Sequence, residues 1–407
     1  MFIKRLCTVL LAVSLMTASI STTGAASVVS PGTWSIGDSF NLVSGTGNQA
    51  NYTYDEMCNL YLNNYYNVQG TEIDIENSNL LYQQYSVEFD KINNDIASIK
   101  KLIDKDKDNV EYQQKLGELI TQKAELYVNK ETSIITYNNS SRYRDIQRAS
   151  QISEFRDNIF KTKLIYEKSL IQKTMAEYAK LQANTKEISK SKDMAFQSDI
   201  DIYNADYDYY ISQQELLTQK VNSNMENLLS SCGIDMSRAL TIKVTLAPIR
   251  AISLKKFSDI EKSFYLNDYK NMQMGERLRI LEGKISILKE YYKDSSNEVK
   301  LAVNEKKQAE LEARRWLIER RALLQNYYSD YKNKYYEFNI KEKKANALYQ
   351  KYIILLNKYN YKLATELSLK EAEVNYKIAA QEVWDSLFGY VEALGKIEKA
   401  VSGNVSP

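Results

Sequence analysis

Apolar residues recur three or four positions apart along most of this chain, the spacing of one face of an α-helix. In the second half the stripe runs through Ala309, Ala313, Trp316, Leu324, Tyr327, Tyr331, Tyr335, Phe338, Ala345, Leu348, Tyr352 and Leu355, interrupted by Arg320 and Glu342. In the first half Ile152, Phe155, Ile159, Tyr166 and Leu170 continue the same pattern. A seam this long and narrow, with polar residues elsewhere, predicts coiled-coil packing rather than one face of a globular core. Proline stands only at positions 31, 248 and 407, so the long stretches between carry no strong helix breaker.

Turn residues divide the pattern. Asp294-Ser295-Ser296-Asn297 is the clear break between 257 and 361, which predicts helices of about 37, 64 and 36 residues, or roughly 55, 95 and 55 Å. Ser198 with Asp201 three positions on reads as a capping box. In the first half Asp104–Asn109 and Asn138–Ser141 are both credible turns, and Val128–Tyr137, with Ile134-Ile135, has some β character. That region fits either a helical hairpin or a short two-stranded excursion. Between the halves Leu240, Ile242, Val244 and Leu246 alternate with polar or small residues, a strand signal. The expected architecture is all-α, with long antiparallel coiled-coil helices in two tandem repeats and a short β segment between them. Its boundaries are 27–50 for a flexible or extended lead-in, 51–234 for the first repeat, 235–256 for a linker, 257–401 for the second repeat and 402–407 for a tail.

Composition then narrows the function. Lys4 and Arg5, an apolar run from Leu6 to Ile20 and the small residues to Ser27 have the layout of a secretory signal peptide covering 1–26. Cys7 lies near the start of the apolar run, which gives no support for a lipid-anchored N-terminus. Beyond it the longest aliphatic run is Ile353–Leu356, far short of a membrane-spanning helix. With 54 basic and 52 acidic residues there is no overall field to gather nucleic acid. Histidine is absent, which removes the commonest general base and transition-metal ligand, and no phosphate-binding loop or nucleophile elbow stands in its place. No enzyme, cofactor or metal site is expected. Cys58 and Cys232 alone survive signal removal, as a disulfide in an oxidising compartment or as two buried thiols.

An internal match appears at an offset of 167 residues: Ser198-Asp199-Ile200 with Thr365-Glu366-Leu367, then Ile202 with Leu369, Ala205 with Ala372, Tyr209 with Tyr376 and Gln214-Glu215 with Gln381-Glu382. The run Ala195-Phe196-Gln197-Ser198-Asp199-Ile200, followed by Ala205, Leu216 and Leu228–Gly233, resembles the helix-turn-helix end of a TolC-type outer-membrane efflux protein repeat. Tyr361–Leu367 with Glu371-Ala372-Glu373 is similar to its second copy. The resemblance implies a homotrimer whose protomers give two repeats to a tunnel of long helices. It further implies that the helical turns, here Phe196, Gln197, Ser198 and Asp199 with Leu363, Ala364, Thr365 and Glu366, dock a membrane-fusion adaptor and in some systems an inner-membrane transporter. Asp199 and Glu366 would be the candidates for an acidic ring. The family's small residue before the Ser/Thr is replaced by Gln197 and Ala364.

The family also inserts a strand pair in each repeat to form a membrane β-barrel, and such strands need about ten residues of apolar-out alternation. Between 257 and 361 there is no room for one, and 104–141 is densely charged. The expectation is therefore a TolC-like helical exit duct in the cell envelope without a visible barrel. A structural envelope coiled coil and a secreted helical pore-forming toxin are the competing readings.

Overall fold

The computed structural model describes residues 36, 39–44, 50–64, 66–192, 194–235, 240–246 and 256–403; the expected signal segment 1–26, the three prolines and the last four residues lie outside them. In chain order the elements are β1 (Ser39–Ser44), β2 (Ala50–Thr53), α1 (Tyr54–Asn64), α2 (Tyr66–Lys105), α3 (Val110–Ser133), α4 (Ile135–Asn138), α5 (Ser140–Lys190), α6 (Gln197–Ser231), β3 (Leu240–Thr245), α7 (Phe257–Asn267), α8 (Tyr269–Leu288), α9 (Asn297–Asn360) and α10 (Glu366–Val401). They fall into two compact units. One comprises residues up to Asn64 with Ile152–Leu254 and Ser329–Gly395; the other comprises Tyr65–Gln151, Lys255–Tyr328 and the chain from Lys396.

The first unit holds the sheet, in the order β1-β3-β2, with β1 antiparallel and β2 parallel to β3. Ile242, Val244 and Leu246 are buried and alternate with solvent-facing Lys243 and Thr245, as a half-buried strand requires. Within the stretch 27–50, expected to be a flexible or extended lead-in, the described residues 39–44 are extended as β1. Phe40 and Leu42 alternate with exposed neighbours, and Phe40 packs edge-on against Phe160 and Trp384 at 5.4 and 5.5 Å. Under it Lys163 pairs with Glu167, its ammonium 5.5, 5.0 and 5.1 Å from the rings of Phe40, Tyr166 and Trp384. Burial drives the Glu167 carboxyl above its ordinary range despite Lys163. A reciprocal capping box opens α1: Glu56 accepts from the Thr53 backbone N–H at 2.7 Å, and Thr53 Oγ1 from the Glu56 N–H at 3.3 Å.

In the second unit Ile96 of α2, Leu116, Leu119, Ile120 and Ala124 of α3, Ile287 and Leu288 of α8 and Val299 and Ala302 of α9 form one core cluster. The stretch 104–141 is thus a helical hairpin. Asn109 caps α3 by accepting from the Tyr112 N–H at 3.1 Å, and the β-branched pair at 134–135 marks only a helix interruption, because packing outweighs local β propensity. Nor is 257–293 one helix. Asp268, 3% exposed, breaks it by capping α8 through the Lys270 N–H at 3.0 Å while accepting from Trp316 Nε1 at 3.2 Å.

The long stripe of α9 is buried at Leu324, Tyr331, Phe338, Ala345 and Tyr352, a strict seven-residue spacing. In the first unit it meets α10 through stacked rings: Tyr331 on Tyr390 at 5.6 Å and Tyr352 on Tyr376 at 5.7 Å.

The duplication is visible in a pair of matching side-chain to backbone hydrogen bonds. Asn64, last residue of α1, donates its side-chain amide to the Cys232 carbonyl at 3.0 Å; Asn267, last residue of α7, donates to the Val401 carbonyl at 2.8 Å. A glycine of positive φ follows each acceptor, Gly233 at 67° directly after Cys232 and Gly403 at 90° two residues after Val401. The acceptors are 169 positions apart and so are the first residues of α6 and α10, Gln197 and Glu366. The sequence offset of 167 is therefore two short.

Candidate docking turns

Two tight turns in the first unit join α5 to α6 and α9 to α10. At the first, the Met194 N–H bonds the Ser189 carbonyl at 3.0 Å; at the second, the Leu363 N–H bonds the Lys358 carbonyl at 2.8 Å. Both bonds span five residues, and at the second turn Lys362 has φ 61°, a left-handed residue that closes a helix. They too lie 169 positions apart, which makes Met194 and Leu363 equivalent. Their side chains are 76% and 77% exposed, and Phe196 beside the first turn is 79% exposed. The sequence singled out Phe196 and Leu363 and missed Met194, because the register was two residues off.

The two helix starts differ. Thr365 caps α10, its Oγ1 accepting from the Ser368 N–H at 3.1 Å. Phe196 is the N-cap of α6 and offers no side-chain acceptor. The expected capping box at Ser198 and Asp201 does not form, since the Asp199 N–H already bonds the Phe196 carbonyl and puts Ser198, exposed, inside the first turn. Asp201 instead accepts from the Gln197 amide at 2.8 Å, and Asp199 lies 3.5 Å from Lys186. Ala364 is half-buried, whereas Glu366 is exposed at the start of α10.

Behind the turns, α5, α6 and α10 share an apolar cluster of Ile171, Met175, Ala176, Ala179, Tyr210 and Val374, with Tyr178 and Ile378 packed against it. Ion pairs flank it: Lys370 lies 2.9 Å from both Glu177 and Glu373, and Glu373 also pairs with Lys377. Burial alone would raise the Glu373 carboxyl, but the two ammonium groups overcome it and hold the group below its usual range. This network orders helices.

Cys58 and Cys232 are both free and buried. Cys232 donates through Sγ to the Met57 carbonyl at 3.6 Å, and burial pushes its thiol up to about 12. Thiols held neutral in this way are poor nucleophiles and metal ligands. Among the described residues no group of three or more His, Cys, Asp or Glu side chains is placed to hold a metal ion, and no helix is long and apolar enough to cross a membrane.

No protein-family model and no curated protein matches the chain. Solved structures do. The CusC transmembrane channel aligns over 86% of this chain and 92% of its own, with a TM-score of 0.56 at 8% identity. The outer-membrane channel OprN covers 86% and 90% with 0.55 at 9%, and a membrane protein from Pseudomonas aeruginosa covers 86% and 93% with 0.52 at 9%. At such identities the likeness is one of fold: this chain has the TolC-type fold. The stretches 104–141 and 257–361, where a strand pair of a membrane barrel was sought, are helices and turns throughout.

Proposed function

We propose that the chain is the exported subunit of a homotrimeric helical exit duct of the cell envelope, and that its two helical turns are the face that meets a membrane-fusion adaptor or an inner-membrane transporter. The observation that carries this is the pair Met194 and Leu363, equivalent in the two repeats and both about three-quarters exposed. Large apolar side chains held out at matching turns, with Phe196 also exposed beside the first, support a docking role for them. The fold shared with the CusC and OprN channels supports the duct. No catalysis is assigned to it. The helical stretches at 104–141 and 257–361 favour a duct that ends in polar helical turns rather than in strands of its own within those stretches.

The mature protein, purified without detergent and imaged as single particles, is expected to give hollow threefold particles. Solid rods, or a protein recovered only in membranes, would overturn the reading. The double substitution Met194→Asp with Leu363→Asp should leave the particles intact and reproduce, in the native cell, the phenotype of deleting the gene. Unaltered behaviour of that strain would remove the docking role.

A further inference from the structure

The joint that closes each repeat is built twice, and one copy alone carries cysteine. α1 and α7 are both 11 residues long and end in the matched asparagines, so they correspond residue for residue: buried Met57 and Tyr61 answer buried Ile260 and Phe264. In that register Cys58 answers Glu261, and the asparagine bonds make Cys232 answer Val401. Glu261 turns instead to Arg321 at 2.8 Å. Beyond the expected signal segment the chain has no cysteine except Cys58 and Cys232; they stand 174 positions apart in sequence and at one joint in the fold. Two cysteines kept only as small apolar fillers need not share a joint.

Three contacts hold the end of α6 on α1. Asn64 donates to the carbonyls of Leu60 at 2.9 Å and Cys232 at 3.0 Å, and Cys232 Sγ donates to the Met57 carbonyl at 3.6 Å. Gly233 lets Asn64 approach, since a Cβ there would lie 3.0 Å from its side chain. The Met57 oxygen lies about 2.8 Å from the Cys58 Cα across their trans peptide, so the Cys232 sulfur is no more than about 6.4 Å from that Cα. A disulfide brings one sulfur to about 4 Å from its partner's Cα. Cys232 covers the difference by leaving the Met57 carbonyl for the Cys58 sulfur. Cys58 is also close enough for its charge to push the Cys232 thiol higher.

We infer that Cys58 and Cys232 are the site of an intrachain disulfide, made by exchange with a disulfide-bearing oxidant while the exported chain folds, which locks the first repeat into a covalent ring. The thiolate of one cysteine attacks a sulfur of the oxidant R–S–S–R and releases one R–S⁻; the thiolate of the other attacks the mixed disulfide and releases the second. Two electrons pass from the cysteine pair to the oxidant, and the two protons leave on the released thiols. The ring closes on α2–α6, with the first candidate docking turn inside it. The free thiols of the closed joint are its reduced form. With its pKa raised from 9.0 to about 12, the buried Cys232 thiol supplies about a thousandfold less thiolate near neutral pH. The joint therefore keeps the state in which it folds: a bond made early is sealed from reductants, and thiols buried first are sealed from oxidants. The inference rests on the export part of the proposed function, which supplies the oxidising compartment.

The test has two arms, both on the full mature chain. In the first, reduced protein unfolded in urea is returned to native buffer with oxidised and reduced glutathione and quenched with acid. Digestion without reductant should give one peptide pair joined through Cys58 and Cys232, absent from Cys232→Ser, and the same buffer should bridge protein that is already folded and reduced at least about a hundredfold more slowly. Thiols that stay free on refolding overturn the pairing, and equal rates overturn the sealing. In the second arm, protein taken from the producing cell is denatured and alkylated without reductant. It should take no label at either cysteine and weigh two hydrogens less than after reduction. Labelled thiols on a chain whose signal segment has been removed overturn the inference; labelled thiols on a chain that keeps its signal segment defeat the export reading instead, and the refolding arm then decides the pairing by itself.

Discussion

Replacing Phe40 by alanine separates a docked strand from a loose lead-in. The ring is 6% exposed, packs edge-on against Phe160 and Trp384, and lies 5.5 Å from the Lys163 ammonium. Removing a buried phenylalanine side chain costs about 3–5 kcal/mol, which already includes ring contacts worth about 0.5–1.5 kcal/mol each. If β1 opens locally, that loss raises its open population about a hundredfold or more, since about 1.4 kcal/mol is a factor of ten. Protease cleavage follows the open population when reclosing is faster than cutting. Cleavage within 39–49, timed by mass spectrometry, should therefore accelerate about a hundredfold in Phe40→Ala. Phe40→Leu keeps most of the apolar area and loses the aromatic pairs, so it should accelerate cleavage by about tenfold. Were β1 an undocked segment, both substitutions would behave as surface changes and shift the rate less than about threefold; that outcome refutes the docking of β1 through Phe40.

Two further expectations concern stability. At Gly403, φ is 90° and a Cβ would run into the backbone of Asn267 and Asp268, so Gly403→Ala should lower stability by at least about 1–2 kcal/mol. Gly275, inside α8 with open space around it, should gain about 0.5–1 kcal/mol as alanine; urea midpoints for the pair measure both, and equal effects would contradict the backbone argument. Glu373 has a depressed folded-state pKa, so its contribution is present above the ordinary glutamate value of 4.5 and is lost as pH falls through the folded value. Glu373→Gln should cost about 1–3 kcal/mol at neutral pH and flatten the acid limb of the stability profile; a limb as steep as before would show that Glu373 does not set it.

The helices were readable because their signal is redundant. The spine Leu324–Tyr331–Phe338–Ala345–Tyr352 repeats one constraint five times, and the chain between has no proline to contradict it. What escaped depended on a single residue or on distant partners. Nothing local says that Asp268 will cap a helix and receive the indole of Trp316, 48 positions away. β1 is short, and its meaning lies in β3, about 200 positions on. The turns were located, but their register was not, because it is set by single backbone hydrogen bonds at the helix ends that leave no repeating signal in the sequence. Hydrogen bonds from Met194 and Leu363 fix that register unambiguously, and with it the exposed residues of the candidate docking turns.

That register also shows how the two repeats differ in polarity. The first repeat is the longer, with 40 residues in α2 against 20 in α8, yet the helices around the turns correspond at one offset. The seam of α5 with α10 inside the chain is bordered by ion pairs, Lys370 with Glu177 and Lys168 with Asp385, and α10 presents Glu371 and Asp385 where α6 presents Ile202 and Leu216. Its helices are tied covalently, so they meet at high effective concentration and the seam can be polar, although exposed ion pairs add only about 0.2–1 kcal/mol each.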